Sequence, residues 1–246
     1  MGDPDRRAAF YAAGPDAHRW SDWWSVLHPP YTAWHLSYVV IGACLAPKVD
    51  GVRLIATVLA FFAAVGVAAH ALDELHGHPL RTHIADPALV VAGALGLLVA
   101  VALGVAGVSR VGAVLIPFIV IGPLLVLAYN LELLGGRLHN GMTFALAWGA
   151  FPVLTGYVAQ ASGLDVAAVA AAVAAVGFSL AQRSLSTPAR TLRRHVARVD
   201  GVAVMDDGAT TPLSDGVLLA PLEQALRALS WSMVALAAAL AAARFL

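Results

Sequence analysis

The chain has 246 residues, 60% of them hydrophobic and only 12% charged, and its mean hydropathy is +0.78. A soluble domain carries roughly 25% charged residues, so a water-soluble globule is excluded and an integral membrane protein is indicated. Fifteen basic residues balance fifteen acidic ones, which argues against a nucleic-acid surface, and the single Cys44 excludes an internal disulfide or a thiolate metal cluster.

Residues 1–30 are polar, with Arg6, Arg7, Asp16 and Trp20, and lack the apolar stretch of a cleavable signal. A membrane span needs about 20 mostly apolar residues. Seven are predicted, at 31–47, 53–75, 87–108, 111–134, 142–161, 164–183 and 226–245, which makes the fold an all-α polytopic bundle. Pro29 and Pro30 stand where a helix start tolerates proline. Pro117 and Pro123 are expected to kink the fourth span. Alanine-rich runs such as "AAVAAAVAAVG" allow close helix approach in lipid. The chain thus divides into an N-terminal segment (1–30), a six-span core (31–183), a basic loop (184–225) and a last span (226–246). The loop reads as helical towards Arg198 and then as turns over "MDDGATTPLSDG".

Lysine and arginine set the orientation. With the N-terminus inside, Arg6, Arg7, Arg19, Arg81, Arg137, Arg183, Arg190, Arg193, Arg194, Arg198 and Arg227 are cytoplasmic, against Lys48, Arg53, Arg110 and Arg244 on the other side. Eleven against four is a positive-inside bias, so the N-terminus is expected in the cytoplasm and the C-terminus outside. His28 and His35, the run from His70 to His83, and Glu132 to His139 then fall at one membrane face.

That convergence predicts a metal site. On a 3.6-residue helix His70, Asp73, Glu74 and His78 share one stripe, whereas His76 points about 240° away from His70. Carboxylates within the apolar slab cost about 2.5–3.5 kcal/mol each unless they face a polar cavity and are paired, and a divalent cation pairs them. Glu132, the only carboxylate between Pro87 and Leu164, and His139 supply the other half from span 4, and His35 joins from span 1. The expected ligands are therefore His35, His70, Asp73, Glu74, His78, Glu132 and His139, with Glu74, Glu132 and Asp73 as catalytic carboxylates. Arg81, Arg137 and Asn130 are candidates for a substrate head group. Histidine-rich, cysteine-free ligation suits iron before zinc or manganese. His28 and His83 are weighed as further ligands, and His18 and His195 as interfacial polar trim.

The order of features resembles the UbiA-type intramembrane prenyltransferases over about residues 25–195. The resemblance rests on "HPPYTAWHLSYVVIGACLAP", on the acidic cluster followed by "HPLRT", and on "YNLELLGGRLHNGMTFALAWGAFPVLTGY", which is similar to the family's Tyr-Ser-Pro-Pro-Leu-Arg stretch and the helix after it. It implies a lipid-accessible cavity and magnesium ions that grip a prenyl diphosphate. The family's first motif, Asn-Asp-x-x-Asp-x-x-x-Asp, falls on Leu72, Asp73, His76 and Leu80, so one aspartate of three is kept. Its second motif falls on "AQRSLSTPARTLRR", which holds no carboxylate. Arg81 and the Arg190–Arg194 cluster remain available for an anionic head group.

Three functions follow as expectations. The first is a membrane metalloenzyme, with iron for oxidation or with a metal-activated water for hydrolysis, acting on a lipid or isoprenoid-like substrate. The second is a prenyltransferase using magnesium and a prenyl diphosphate. The third is non-enzymatic metal or proton transport, or haem binding; few polar groups beyond Gln160, Tyr157 and Thr155 lie towards the far face, which disfavours transport.

Overall fold

The computed structural model describes residues 8–13 and 19–246. Arg6, Arg7, Asp16 and His18 lie outside the described residues. A short helix α1 (Arg19–Val26) precedes α2 (Pro29–Leu45), which begins on its prolines. Next comes a continuous rod made of α3 (Gly51–Phe61), a π-helical stretch (Phe62–Ala69) and α4 (His70–Leu75). Helices α5 (Asp86–Val111) and α6 (Ile116–Asn130) follow. A second composite rod is α7 (Gly141–Ala145), a π stretch (Leu146–Ala150) and α8 (Phe151–Ala161). The chain ends with α9 (Val166–Arg194), a hairpin and α10 (Asp215–Phe245).

Six of these rods are long and apolar enough to cross a membrane: Gly51–Leu75, Asp86–Val111, Ala113–Asn130, Gly141–Ala161, Val166–Arg194 and Asp215–Phe245. Helix α2, with 17 residues, stands at the lower end of the spanning range. Large aliphatic side chains such as Leu59, Leu98, Leu124 and Val173 are exposed on the outer surface, as a hydrocarbon surrounding requires.

Boundaries follow local chemistry. Asp50, Asn140, Asp165 and Ser214 cap α3, α7, α9 and α10 by accepting backbone N–H bonds. Pro117 sits in the first turn of α6, after the break at Gly112 (φ 104°), so it starts this helix instead of kinking it; Pro123 lies inside. The sixth apolar helix runs to Arg194 and the last starts at Asp215, each eleven residues beyond the sequence-based boundary, because hydropathy fades there while helical spacing continues. The intervening segment is an antiparallel hairpin, β1 (Gly201–Val204) with β2 (Thr210–Leu213), turning at Met205–Ala209 with Gly208 at φ 83°.

Helix α2 is the centre of the bundle, packed on α8 and α10. A Cβ at Gly42 would stand 2.0 Å from the Val153 carbonyl oxygen, and one at Gly156 would stand 2.2 Å from that of Val39. Backbones therefore meet directly at this crossing, the small-residue packing that lipid-embedded helices use. Arg193 grips Glu223 in a two-pronged ion pair between α9 and α10.

Candidate functional site

At the end of the bundle where α2 begins and α4, α6 and α9 end, a cavity of about 110 Å3 is lined by side chains from all four helices and by the N-terminal segment. From α9 come Gln182, Arg183, Ser186, Arg190 and Arg194; from the α4 rod come His70 and Asp73; His28 and His35 flank the start of α2. Tyr129, Asn130, His139, Phe144 and Trp148 form the opposite wall, and Tyr11 and Tyr31 complete it.

The imidazoles are held by their Nδ1 atoms. That of His35, a residue 2% exposed, donates to the Trp148 carbonyl at 2.9 Å, His70 to the Gly66 carbonyl at 3.3 Å, and His139 to the Tyr129 carbonyl at 3.1 Å. A carbonyl only accepts, so in the neutral ring each of these Nδ1 atoms carries the hydrogen and Nε2 keeps the lone pair. His28 shares a 3.1 Å hydrogen bond between Nδ1 and the Tyr11 hydroxyl, and its ring stacks on His70 at 4.2 Å with 14° between planes. Burial first, then His70 and the arginines Arg194 and Arg190, hold the His28 imidazole well below its usual range. Two buried polar atoms of this lining have no hydrogen-bond partner among the described residues, His28 Nε2 and Gln182 Oε1.

The charge balance is positive. Among the described residues three guanidiniums face one carboxylate, Asp73, which interacts with Arg190 and Arg194 through space. The Arg183 Nη1 donates to the Tyr129 hydroxyl at 2.6 Å, and the Arg183 Cζ lies 5.4 Å from the Phe144 ring centre. Tyr129 in turn stacks on His139 at 4.4 Å. The Arg194 Nε bonds the Ala8 carbonyl, which ties residues 8–13 across this end of the bundle.

Of the seven residues predicted as metal ligands, His35, His70, Asp73 and His139 line the cavity. The other three are elsewhere. Helix α4 ends at Leu75, so the stripe from His70 to His78 is cut; His78 has φ 51° and bonds Asp86 at 2.9 Å. Glu74 is turned about 100° from Asp73 and is 1% exposed, accepting from Leu80 N, Thr82 N and Thr82 Oγ1 at 2.9, 3.0 and 2.9 Å. It holds a loop. Glu132 is exposed in the turn after α6, at φ 48°, with one oxygen 3.7 Å from His139 Nδ1. Among the described residues no three His, Cys, Asp or Glu form a metal-holding group.

Of the head-group candidates, Asn130 is in the lining, with its Nδ2 donating to the Val126 carbonyl, whereas Arg81 and Arg137 are exposed outside it. His83 meets Asp22, and His76 is exposed. Sequence reasoning missed Gln182, Arg183 and Ser186 as lining. Their signal is the spacing 183, 186, 190, 194, one face of a helix, which is split when 184–198 is read as a helical part of a separate loop and not as the continuation of the same helix.

A second, wholly different space adjoins this one. An apolar groove of about 270 Å3 runs between α3, α5, α6 and α8, and Trp148 lines both. The first π stretch gives Val65 to the groove and Ala69 to the cavity, and the second gives Ala147 to the groove and Trp148 to both. Such wide turns often mark functional sites. Compared with protein-family models, with curated proteins and with solved structures, the chain finds no match.

Proposed function

We propose that the chain is an integral membrane enzyme whose cavity takes the anionic, phosphate-class head group of a lipid or isoprenoid substrate. The observation that carries this reading is the lining itself: three arginines against one aspartate, walled on one side by Phe144, Trp148 and Tyr129. Guanidinium forks match phosphate oxygens better than any other side chain does, and an aromatic wall suits the start of a hydrocarbon chain. Gln182 and Ser186 offer further polar contacts. The stacked rings of His28 and His70 stand beside the head group, and His28, kept neutral by burial and by the neighbouring arginines, offers it a hydrogen-bonding ring without added charge.

The magnesium that a UbiA-like reaction implies does not fit these residues. Hard cations want several oxygen ligands, and here, among the described residues, a single carboxylate sits among three guanidiniums. A second reading keeps a softer divalent metal, iron before zinc or manganese, on some of His35, His70, Asp73 and His139. It is supported by the carbonyl-anchored Nδ1 atoms, the arrangement that orients metal-binding histidines.

Binding of farnesyl diphosphate to the detergent-purified protein tests the first reading. Arg190→Ala is expected to weaken it at least tenfold, farnesol is expected to bind far less well, and affinity is expected to fall with salt. Equal binding of farnesol and its diphosphate would refute the reading. Metal content of wild type beside Asp73→Ala and His70→Ala tests the second; equal content in all three would end it.

A further inference from the structure

The apolar groove has a polar end of its own. Its lining runs from Val52 and Arg53 along α3 to Val65, and along α5 to Arg110 and Val111. Among the described residues, Arg53 and Arg110 are its only charged lining residues. Both lie at the opposite membrane face from the cavity, since Arg53 opens the rod that Asp73 closes. The Arg53 Nη1 donates to the Gln160 carbonyl at 3.3 Å and its Nη2 to the Arg110 carbonyl at 2.7 Å, which fixes the guanidinium across the ends of α3, α5 and α8. Its Nε is buried and has no acceptor among the described residues. The Arg110 side chain is exposed at the same mouth and forms no ion pair among the described residues. The nearby Asp50 accepts the N–H groups of Val52 and Arg53 on its Oδ1 and also interacts through space with the Arg53 and Arg110 charges, so the mouth carries two positive charges against one negative.

We propose that this groove is a phospholipid site: one acyl chain lies between α3, α5, α6 and α8, and the lipid phosphate is received by Arg53 and Arg110. Two guanidinium groups at the mouth of a groove that is otherwise uncharged among the described residues give it the charge complementarity that a lipid phosphate requires. Length agrees. From Arg53 to Val65 the rod rises roughly 18 Å at 1.5 Å per residue. A leaflet's hydrocarbon is roughly 15 Å deep, half of a 30 Å core, so the groove fits a chain of the leaflet at the Arg53 face and ends near Trp148. The site is separate from the cavity of the preceding section and does not depend on it.

Native mass spectrometry of the full chain from nanodiscs of phosphatidylglycerol reads the occupancy directly. One retained phospholipid is expected on the wild type. Ala100→Phe, which fills the groove, is expected to remove it, and Arg110→Gln is expected to weaken its retention roughly tenfold. Diacylglycerol with the same chains is expected to be held far less. A lipid retained by Ala100→Phe would overturn the proposal, as would equal retention of diacylglycerol with no effect of Arg110→Gln. Farnesyl diphosphate binding, measured on the same variants, is expected to be unchanged. Its loss in Ala100→Phe would make the groove the tail channel of the cavity ligand and overturn the phospholipid assignment.

Discussion

Replacing Glu74 by alanine separates a structural carboxylate from a ligand. Its two oxygens accept three hydrogen bonds, from Leu80 N, Thr82 N and Thr82 Oγ1, in a setting 1% exposed. Removal leaves two backbone N–H groups without an acceptor, at about 1–3 kcal/mol each, and bonds to a charged acceptor are the stronger kind. A loss of about 4 kcal/mol follows. At about 2–4 °C per kcal/mol for a chain of this size, Tm should drop by roughly 10 °C in a fixed detergent. Glu74→Gln keeps one acceptor oxygen but turns an NH2 towards an N–H donor, so it should lose about half as much. At a temperature where both variants remain folded, farnesyl diphosphate affinity and metal content should stay near the wild-type values, because Glu74 does not line the cavity. An unchanged Tm with loss of ligand or metal would refute the reasoning and return Glu74 to the site.

Gly42→Ala must drive α2 and α8 apart by about 1.4 Å, from 2.0 Å to an ordinary 3.4 Å contact at the Val153 oxygen. Overpacking of this kind costs about 1–3 kcal/mol, and because the same crossing carries the His35 bond to Trp148, both Tm and cavity affinity should fall. Burial keeps His28 neutral in the fold, while the unfolded chain takes up its proton near pH 6.5. Stability should therefore decline as pH falls below about 6.5, by up to about 1.4 kcal/mol per pH unit for this one group. His28→Asn, which tolerates the left-handed backbone at φ 47°, should flatten Tm between pH 7 and pH 5; an unchanged slope would refute it. Asp165→Ala removes the α9 cap and the 2.5 Å bond from the Tyr157 hydroxyl. It should cost about 1 kcal/mol or somewhat more in thermal unfolding and leave cavity binding untouched.

Much of the helix plan was legible because hydropathy is local. The apolar runs and the prolines that open α2 act within a few residues of their own position, whereas the caps Asp50, Asn140, Asp165 and Ser214 were not singled out in the sequence and the start of α10 at Ser214 was missed. The site was less so. His70 and Asp73 were legible as inward-facing because a charged group in an apolar rod must find polar company. Glu74 and His78 were not, because their roles depend on where α4 stops and on a loop, Leu80–Thr82, that returns to it.

By itself the sequence determined a helical, membrane-embedded chain and the short list of polar groups that must avoid lipid. Only the tertiary structure decided which of them meet. It carried α9 past its apolar stretch and so set Arg183, Arg190 and Arg194 opposite Asp73 and the histidines. The physical reason is range: hydrophobic transfer and capping are settled residue by residue, whereas the sign of a cavity's charge is a sum over helices distant in the chain.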